Sequence, residues 1–283
     1  MILETYHTSR SLYDIFSCLY QEPEAVFLDS SLKNQYGQYS IAGFLPEMKA
    51  EEKDGVFYLN EQPRQMDCMD WLKQYLAEHR EENPTDLPFV SGGIGYLTYD
   101  YGKRFMGLPH VHDKYIRMPE CCFVFYRLYV IEEVATGAIT LAARDREAVQ
   151  WLKQKEAETG GWQHPEKLEP DVVKEDYKDA IQKMVDYIVA GDIYITNMTR
   201  QIQIFSEAKP YEIFRLLREN NPSPFGGYFH YNDVEIISAS PERFFEIRDG
   251  VIRTRPIKGT RKRGETAEED EVLRLELHPL PHL

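Results

Sequence analysis

The sequence is poor in cysteine, with four in 283 residues: Cys18, Cys68, Cys121 and Cys122. None falls at a metal-ligand spacing, and so sparse a set builds no disulfide framework. Buried thiols in a reducing cytoplasm are the expectation. Positive charge is also short. There are 33 Lys and Arg against 47 Asp and Glu, a formal net charge of −14. The surface as a whole therefore repels nucleic acid and anionic membrane. No apolar run reaches bilayer length; the best, Cys121–Ile131, is short and contains Arg127. The opening residues, Met1-Ile-Leu-Glu-Thr5, lack a basic stretch followed by an apolar one, which argues against secretion. No internal repeat or low-complexity tract is present.

What is there suits a globular chain. Apolar residues make up 42% and aromatics 13%, enough for one large domain or two small ones. Glu24–Asp29 and Tyr39–Phe44 read as strands, and Asp54-Gly55 as a hairpin turn between extended runs. Met66, Met69, Leu72, Tyr75 and Leu76 recur at helical spacing, predicting an amphipathic helix over 66–81. Cys121–Glu133 is strand-like, Thr136-Gly137 turns it into Ala138–Ala142, and a helix follows from Asp145 to Glu158. A Gly/Pro-containing linker begins at Thr159. Beyond it, Tyr177, Ile181, Met184, Val185 and Ile188 mark one helical face, with Gly191 as the stop. A strand over 194–205 is expected next. A meander then follows, with turns at Asn232-Asp233 and Asp249-Gly250. Strands and helices without regular alternation indicate an α+β fold rich in antiparallel sheet. The expected organisation is an N-terminal region 1–160, a linker 161–172, a second region 173–276 and a tail 277–283.

The meander leads to Arg253-Thr-Arg-Pro-Ile-Lys-Gly-Thr-Arg-Lys-Arg-Gly264, six cations in an acidic protein. Three readings are open: a solvated charge run, a nucleic-acid patch, or a site for a small polyanion. The second is disfavoured by the net charge and by the lack of interleaved aromatics. Pro256 stiffens the entry, Gly259 permits close backbone approach, and Thr260 offers a hydroxyl to an oxyanion; these favour the third.

Pro256–Gly264 also resembles the signature of the chorismate-binding enzymes. Ser238-Ala-Ser-Pro-Glu-Arg-Phe-Phe245, Gly191-Asp-Ile-Tyr194 and Asn221-Pro-Ser-Pro-Phe225 resemble further segments of that family, in order and spacing. Phe27-Leu-Asp-Ser-Ser31, Tyr39-Ser-Ile-Ala-Gly43 and Gly92–Asp100 are similar to the N-terminal region of its amino-transferring members. The resemblance implies an incomplete anthranilate synthase component I-like fold. Anthranilate synthases carry Ala at the position of Lys258, whereas a subgroup of aminodeoxychorismate synthases carries Lys. By resemblance, Lys258 is the nucleophile toward C2 of chorismate, with Gly259 and Thr260 against the substrate. Arg255, Arg261 and Arg263 are the candidate anion-loop residues. A free lysine, with a pKa of about 10.4, is almost wholly protonated near neutrality; burial and neighbouring cations would lower that value. The implied partners are chorismate and a glutamine amidotransferase small component, and the implied cofactor is Mg2+. Ser30, Pro224, Phe225 and Gly226 fall where related enzymes hold tryptophan.

Two departures stand out. Isochorismate and salicylate synthases place a general-base lysine where this chain has Ile195, so water activation is not expected. The amino-transferring members usually carry Gln there, so Ile195 departs from them too. Thr266-Ala-Glu-Glu269 reads as a capping box opening a helix. After Glu276, Pro279 and Pro281 break that helix, and Leu277–Leu283 does not resemble the family. The acidic magnesium ligands are expected beyond Glu276, so no metal set is assigned within this chain. His278 and His282 share no helical face and are read as tail residues. The chain alone is expected to be inactive. Anthranilate synthase component I, or a non-catalytic fragment keeping only partner or amino-acid binding, are the alternative readings.

Overall fold

The computed structural model describes residues 1–108, 116–158, 175–197, 199, 206–231, 233–257 and 261–276. The first strand, β1 (Ile2–Tyr6), precedes helix α1 (Leu12–Leu19). Ser11 caps α1 in a reciprocal box: its hydroxyl accepts from Asp14 N at 3.2 Å, and the Asp14 carboxylate accepts from Ser11 N at 3.0 Å. Strand β2 (Val26–Asp29) and the long β3 (Tyr39–Lys53) follow. Asp54 and Gly55, at φ 52° and 76°, then reverse the chain into β4 (Val56–Leu59), in turn paired with β5 (Gln62–Arg64). Two successive positive φ values suit the twist of a tight hairpin.

Helix α2 (Cys68–Glu78) starts later than the spacing predicts, because Asp67 takes the cap and accepts from Met69 N at 2.8 Å and Asp70 N at 3.2 Å. Strand β6 (Gly93–Leu97) and the short α3 (Tyr99–Lys103) lead toward β7 (Cys121–Glu133), β8 (Ala138–Ala143) and α4 (Arg146–Glu158). Strand β7 pairs with β3 along its length, with β6 over its first half and with β8 over its second. Its residues are buried on both faces, which is why it reads as an unbroken apolar run. Gly95 is required where β6 meets β7: a Cβ there would lie 1.9 Å from the Cys122 carbonyl oxygen.

Past the linker come α5 (Glu175–Ala190), α6 (Pro210–Asn220), β9 (Phe225–Tyr231), β10 (Val234–Ser240), β11 (Glu246–Arg248), β12 (Val251–Arg253) and α7 (Ala267–Glu276). Strand β9 pairs antiparallel with β2, so the C-terminal half re-enters the first sheet, which runs β1-β8-β7-β3-β2-β9-β10. Contacts divide the chain into Met1–Gly160 with Leu216–Leu283, and Gly161–Arg215. One sheet face carries α1 and α4, with Phe16 stacked on Phe27 at 4.9 Å and edge-on to Tyr228. A second buried cluster gathers Val26, Ile94, Val124, Tyr126, Tyr129 and Phe229. This mixed architecture with a large antiparallel sheet is the expected α+β class.

Three expectations are corrected. The meander is not continuous: β11 and β12 form their own two-stranded sheet, since Pro241 follows β10 and has no N–H to extend the ladder. The strand expected over 194–205 is absent among its described residues, Tyr194–Asn197 and Thr199; Tyr194 and Ile195 are 94% and 80% exposed. The remaining residues of that stretch lie outside the described set. At α7, Thr266 Oγ1 accepts from Glu269 N at 3.2 Å, but the Glu269 carboxylate accepts from Glu265 N at 2.9 Å, one residue earlier than a capping box requires.

Candidate functional site

Where β2 ends, the sheet hands its chain to a loop stitched to the Asn221–Phe225 turn. Ser30 N donates to Ser40 Oγ at 3.1 Å; its own Oγ lies 2.8 Å from the Tyr39 carbonyl and 3.0 Å from the Pro224 carbonyl. Ser223 N donates to Ser31 Oγ at 3.0 Å, and Leu32 N to the Ser223 carbonyl at 3.2 Å. Asp29 and Gly226 face each other in the β2–β9 register. Together these bonds bring Ser30, Pro224, Phe225 and Gly226 to one cavity of about 300 Å³. Tyr36 and Phe225 supply aromatic wall, and Arg243 lies 5.0 Å over the Phe225 ring while bonding Glu246 at 2.7 Å.

Asp29 also lines this cavity and was not singled out by the sequence. It is 3% exposed. Its Oδ2 accepts from Arg218 Nε at 2.8 Å, while Oδ1 has no hydrogen-bond partner among the described residues. Burial pushes its carboxyl above the usual range, against the opposing pull of the Arg218 guanidinium. Arg218, on α6, rests 3.9 Å over the Tyr13 ring. The available signal was an acid closing an otherwise apolar strand, Val26-Phe-Leu-Asp29.

The basic segment is only partly in view. Lys258, Gly259 and Thr260 lie outside the described residues. Arg255 sits 4.5 Å over Tyr36, beside a larger cavity of about 910 Å³ that shares Tyr36, Phe225, Arg243 and Glu246 with the first. Arg261 and Arg263 turn instead to α7: Arg261 pairs with Glu276 at 3.3 Å, and Arg263 reaches both Asp270 oxygens at 2.7 and 2.6 Å. That fork holds the Asp270 carboxyl below its usual range. Lys262 lies 3.7 Å from Glu269. The acidic face of α7 thus draws the loop's later cations to itself.

Among the described residues, no group of three or more His, Cys, Asp or Glu side chains could hold a metal ion. None of the described helices is long and apolar enough to cross a membrane. His278 and His282 fall outside the described set.

Comparison with known proteins is consistent across sequence and fold. A family model described as chorismate binding enzyme matches residues 23–279. Anthranilate synthase component 1 of Thermus thermophilus is 29% identical over 270 residues, covering 90% of this chain and 58% of that protein. Aminodeoxychorismate synthase component 1 of Bacillus subtilis is 31% identical over 266 residues, covering 85% and 56% respectively. The crystal structure of anthranilate synthase component I from Streptococcus pneumoniae shares the fold, with a TM-score of 0.72 at 24% identity over 87% of this chain and 58% of that one. The chain spans a little more than half the length of the relatives it matches.

Proposed function

The chain belongs to the chorismate binding enzyme family, and within it we propose the role of an aminodeoxychorismate synthase large component. The observation that carries the choice is Lys258 in Pro256-Ile-Lys-Gly-Thr260, since the relatives carry both synthase names. The neutral Lys258 amine adds to C2 of chorismate, and the C4 hydroxyl leaves. Ammonia then adds at C4 and displaces the lysine, giving 4-amino-4-deoxychorismate. A lysine is activated for this by desolvation and by neighbouring cations. The ammonia comes from a glutamine amidotransferase partner. The resemblance also implies magnesium, for which the described residues offer no fitting set of acids.

The test is product identity. The chain is completed with the remaining length of the Bacillus subtilis relative, of which it matches 56%. It is then given chorismate, magnesium and ammonium. Chromatography is expected to show 4-amino-4-deoxychorismate, lost on Lys258→Ala with the fold intact. Anthranilate as product, or turnover unchanged by Lys258→Ala, would sink the proposal.

The cavity at Ser30 has its own role in this reading: it binds a free aromatic amino acid, tryptophan. A ring fits between the aromatic walls that Tyr36 and Phe225 supply. Calorimetry with L-tryptophan checks this directly, and no heat of binding at millimolar ligand would refute it.

A further inference from the structure

We propose that the notch between β6 and β8 is a separate small-molecule site, one that takes a single-ring aromatic carboxylate. It shares no lining residue with the Ser30 cavity and does not depend on the amino-transfer reading.

The notch follows from the sheet register. One edge of β7 pairs with β6 over Cys121–Phe125 and with β8 from Leu128 onward, so Tyr126 and Arg127 have no strand beside them on that edge. Local bonds close the gap instead. Tyr126 N donates to the Tyr129 hydroxyl at 2.9 Å, and that hydroxyl donates to the Gly92 carbonyl. Arg144 N donates to the Arg127 carbonyl at 2.8 Å. What is left is a cavity of about 270 Å³, bounded by the end of α2, the Ser91-Gly92 entry to β6 and Arg144 after β8. That volume is at the lower end for ligand pockets and suits one ring.

Its apolar side is aromatic. Trp71, Tyr75 and His79 recur every four residues along α2 and its C-cap, and their rings stack at 5.0 and 4.2 Å. His79 Nδ1 donates to the Tyr75 carbonyl at 2.9 Å, which fixes the last ring of the stack. Phe125 stands edge-on to Tyr75 at 5.1 Å. Leu76 lines the cavity and stays 45% exposed, although its spacing belongs to the apolar face of the helix. A ring in the notch would take that surface out of water.

The polar side selects the charge of the ligand. Arg144 binds both acids of the cavity, Glu47 at 3.2 Å and Glu81 at 3.0 Å. Arg80 also lines the cavity and has no ion pair or hydrogen bond among the described residues. The Ser91 hydroxyl is likewise without a partner among them. The acids are thus already engaged, whereas a guanidinium and a hydroxyl stand open. These are the donors a carboxylate takes, with the guanidinium able to hold both oxygens. A single open cation matches one negative charge and falls short of a phosphate dianion.

The experiment is calorimetry on the full 283-residue chain near neutral pH, with millimolar benzoate, benzamide and acetate as probes. Benzamide keeps the ring without the charge, and acetate keeps the charge without the ring. Benzoate is expected to bind about tenfold or more tightly than either, the scale of one charge-assisted hydrogen bond. Arg80→Gln should bring benzoate down to the level of benzamide while leaving benzamide binding and the thermal midpoint unchanged. Leu76→Glu, an acid at an already exposed position of the cavity, should abolish benzoate binding. Lys73→Gln, on the solvent side of α2, should change nothing. Four results would each overturn the assignment: no benzoate binding by wild type, equal affinity for benzoate and either control compound, a benzoate preference that survives Arg80→Gln, or binding unimpaired by Leu76→Glu.

Discussion

The Cys68 and Cys121 sulfurs lie 3.4 Å apart, both wholly buried and unbridged, where the first turn of α2 meets the start of β7. Hydrogen bonding to Cys68, together with burial, pushes the Cys121 thiol far up, and burial does the same for Cys122. Both therefore stay protonated and unreactive. In the folded protein, Cys18, which is half-buried, should be the one thiol that reacts promptly with a disulfide reagent. The other three should follow only on denaturation, as counted by mass spectrometry of alkylated peptides. Prompt labelling of Cys68 or Cys121 would mean that this part of the core opens readily.

Gly95→Ala tests the β6–β7 seam. The added methyl would meet the Cys122 carbonyl at 1.9 Å, and both residues lie on paired strands. Neither strand can yield without losing register. A loss of about 3 kcal/mol or more in urea unfolding is expected. A change below about 1 kcal/mol would show that β6 is not held against β7 as described.

Arg104 joins two acids of different elements, Glu52 on β3 and Asp67 at the α2 cap, and lies 4.4 Å over the Tyr101 ring. Glu52 is 4% exposed, so removing its cation leaves a buried charge. The arginine itself is about one-third exposed, so water offsets part of the loss. Arg104→Met should cost about 1–2 kcal/mol, more than Lys73→Met, whose partner Asp70 is solvent-exposed. Equal effects in thermal melts would refute the distinction.

Glu132 sets a pH dependence of the opposite sign to a surface ion pair. Burial raises its folded pKa above the unfolded value. Its contribution to stability is therefore fully present below the usual carboxylate range and is lost as pH rises through the raised folded value. Glu132→Gln keeps an acceptor for Leu12 N and removes the ionisation. Relative to wild type, the variant should gain stability between mildly acid and neutral pH and lose that advantage in acid. Urea titrations across this range are the check. Asp145 and Asp270, whose carboxyls are lowered by hydrogen bonds, act the other way and weaken the fold only as pH falls.

The residues differ in how much of their structure a linear reading reveals. Strand β7 was legible to its ends because burial on both faces leaves an unbroken apolar run, and the turns at Asp54-Gly55 and Asp249-Gly250 because their residue types tolerate positive φ. Helix α1 was not, since eight residues give only two turns of periodicity. The apolar face of α5 was legible as a face, but spacing does not say whether anything covers it. Ser30, Pro224, Phe225 and Gly226 were placed by resemblance and do share one cavity. Asp29 and Arg218 could not be joined from sequence, being 189 positions apart and tied by a single bond. The pairing of Arg263 with Asp270 depends on how α7 folds back, which composition does not encode.

The pairing of β2 with β9 has a consequence for the order of assembly. Val26 waits for Phe229, about two hundred residues downstream, while its partner on β3, Gly43, arrives within about twenty. During synthesis the inner edge of β2 therefore stands open, with Phe27 short of its full packing, until nearly all the sheet's other strands have emerged. Nascent chains stalled before β9 should accordingly present a sticky strand edge to chaperones, and release past Tyr231 should close it.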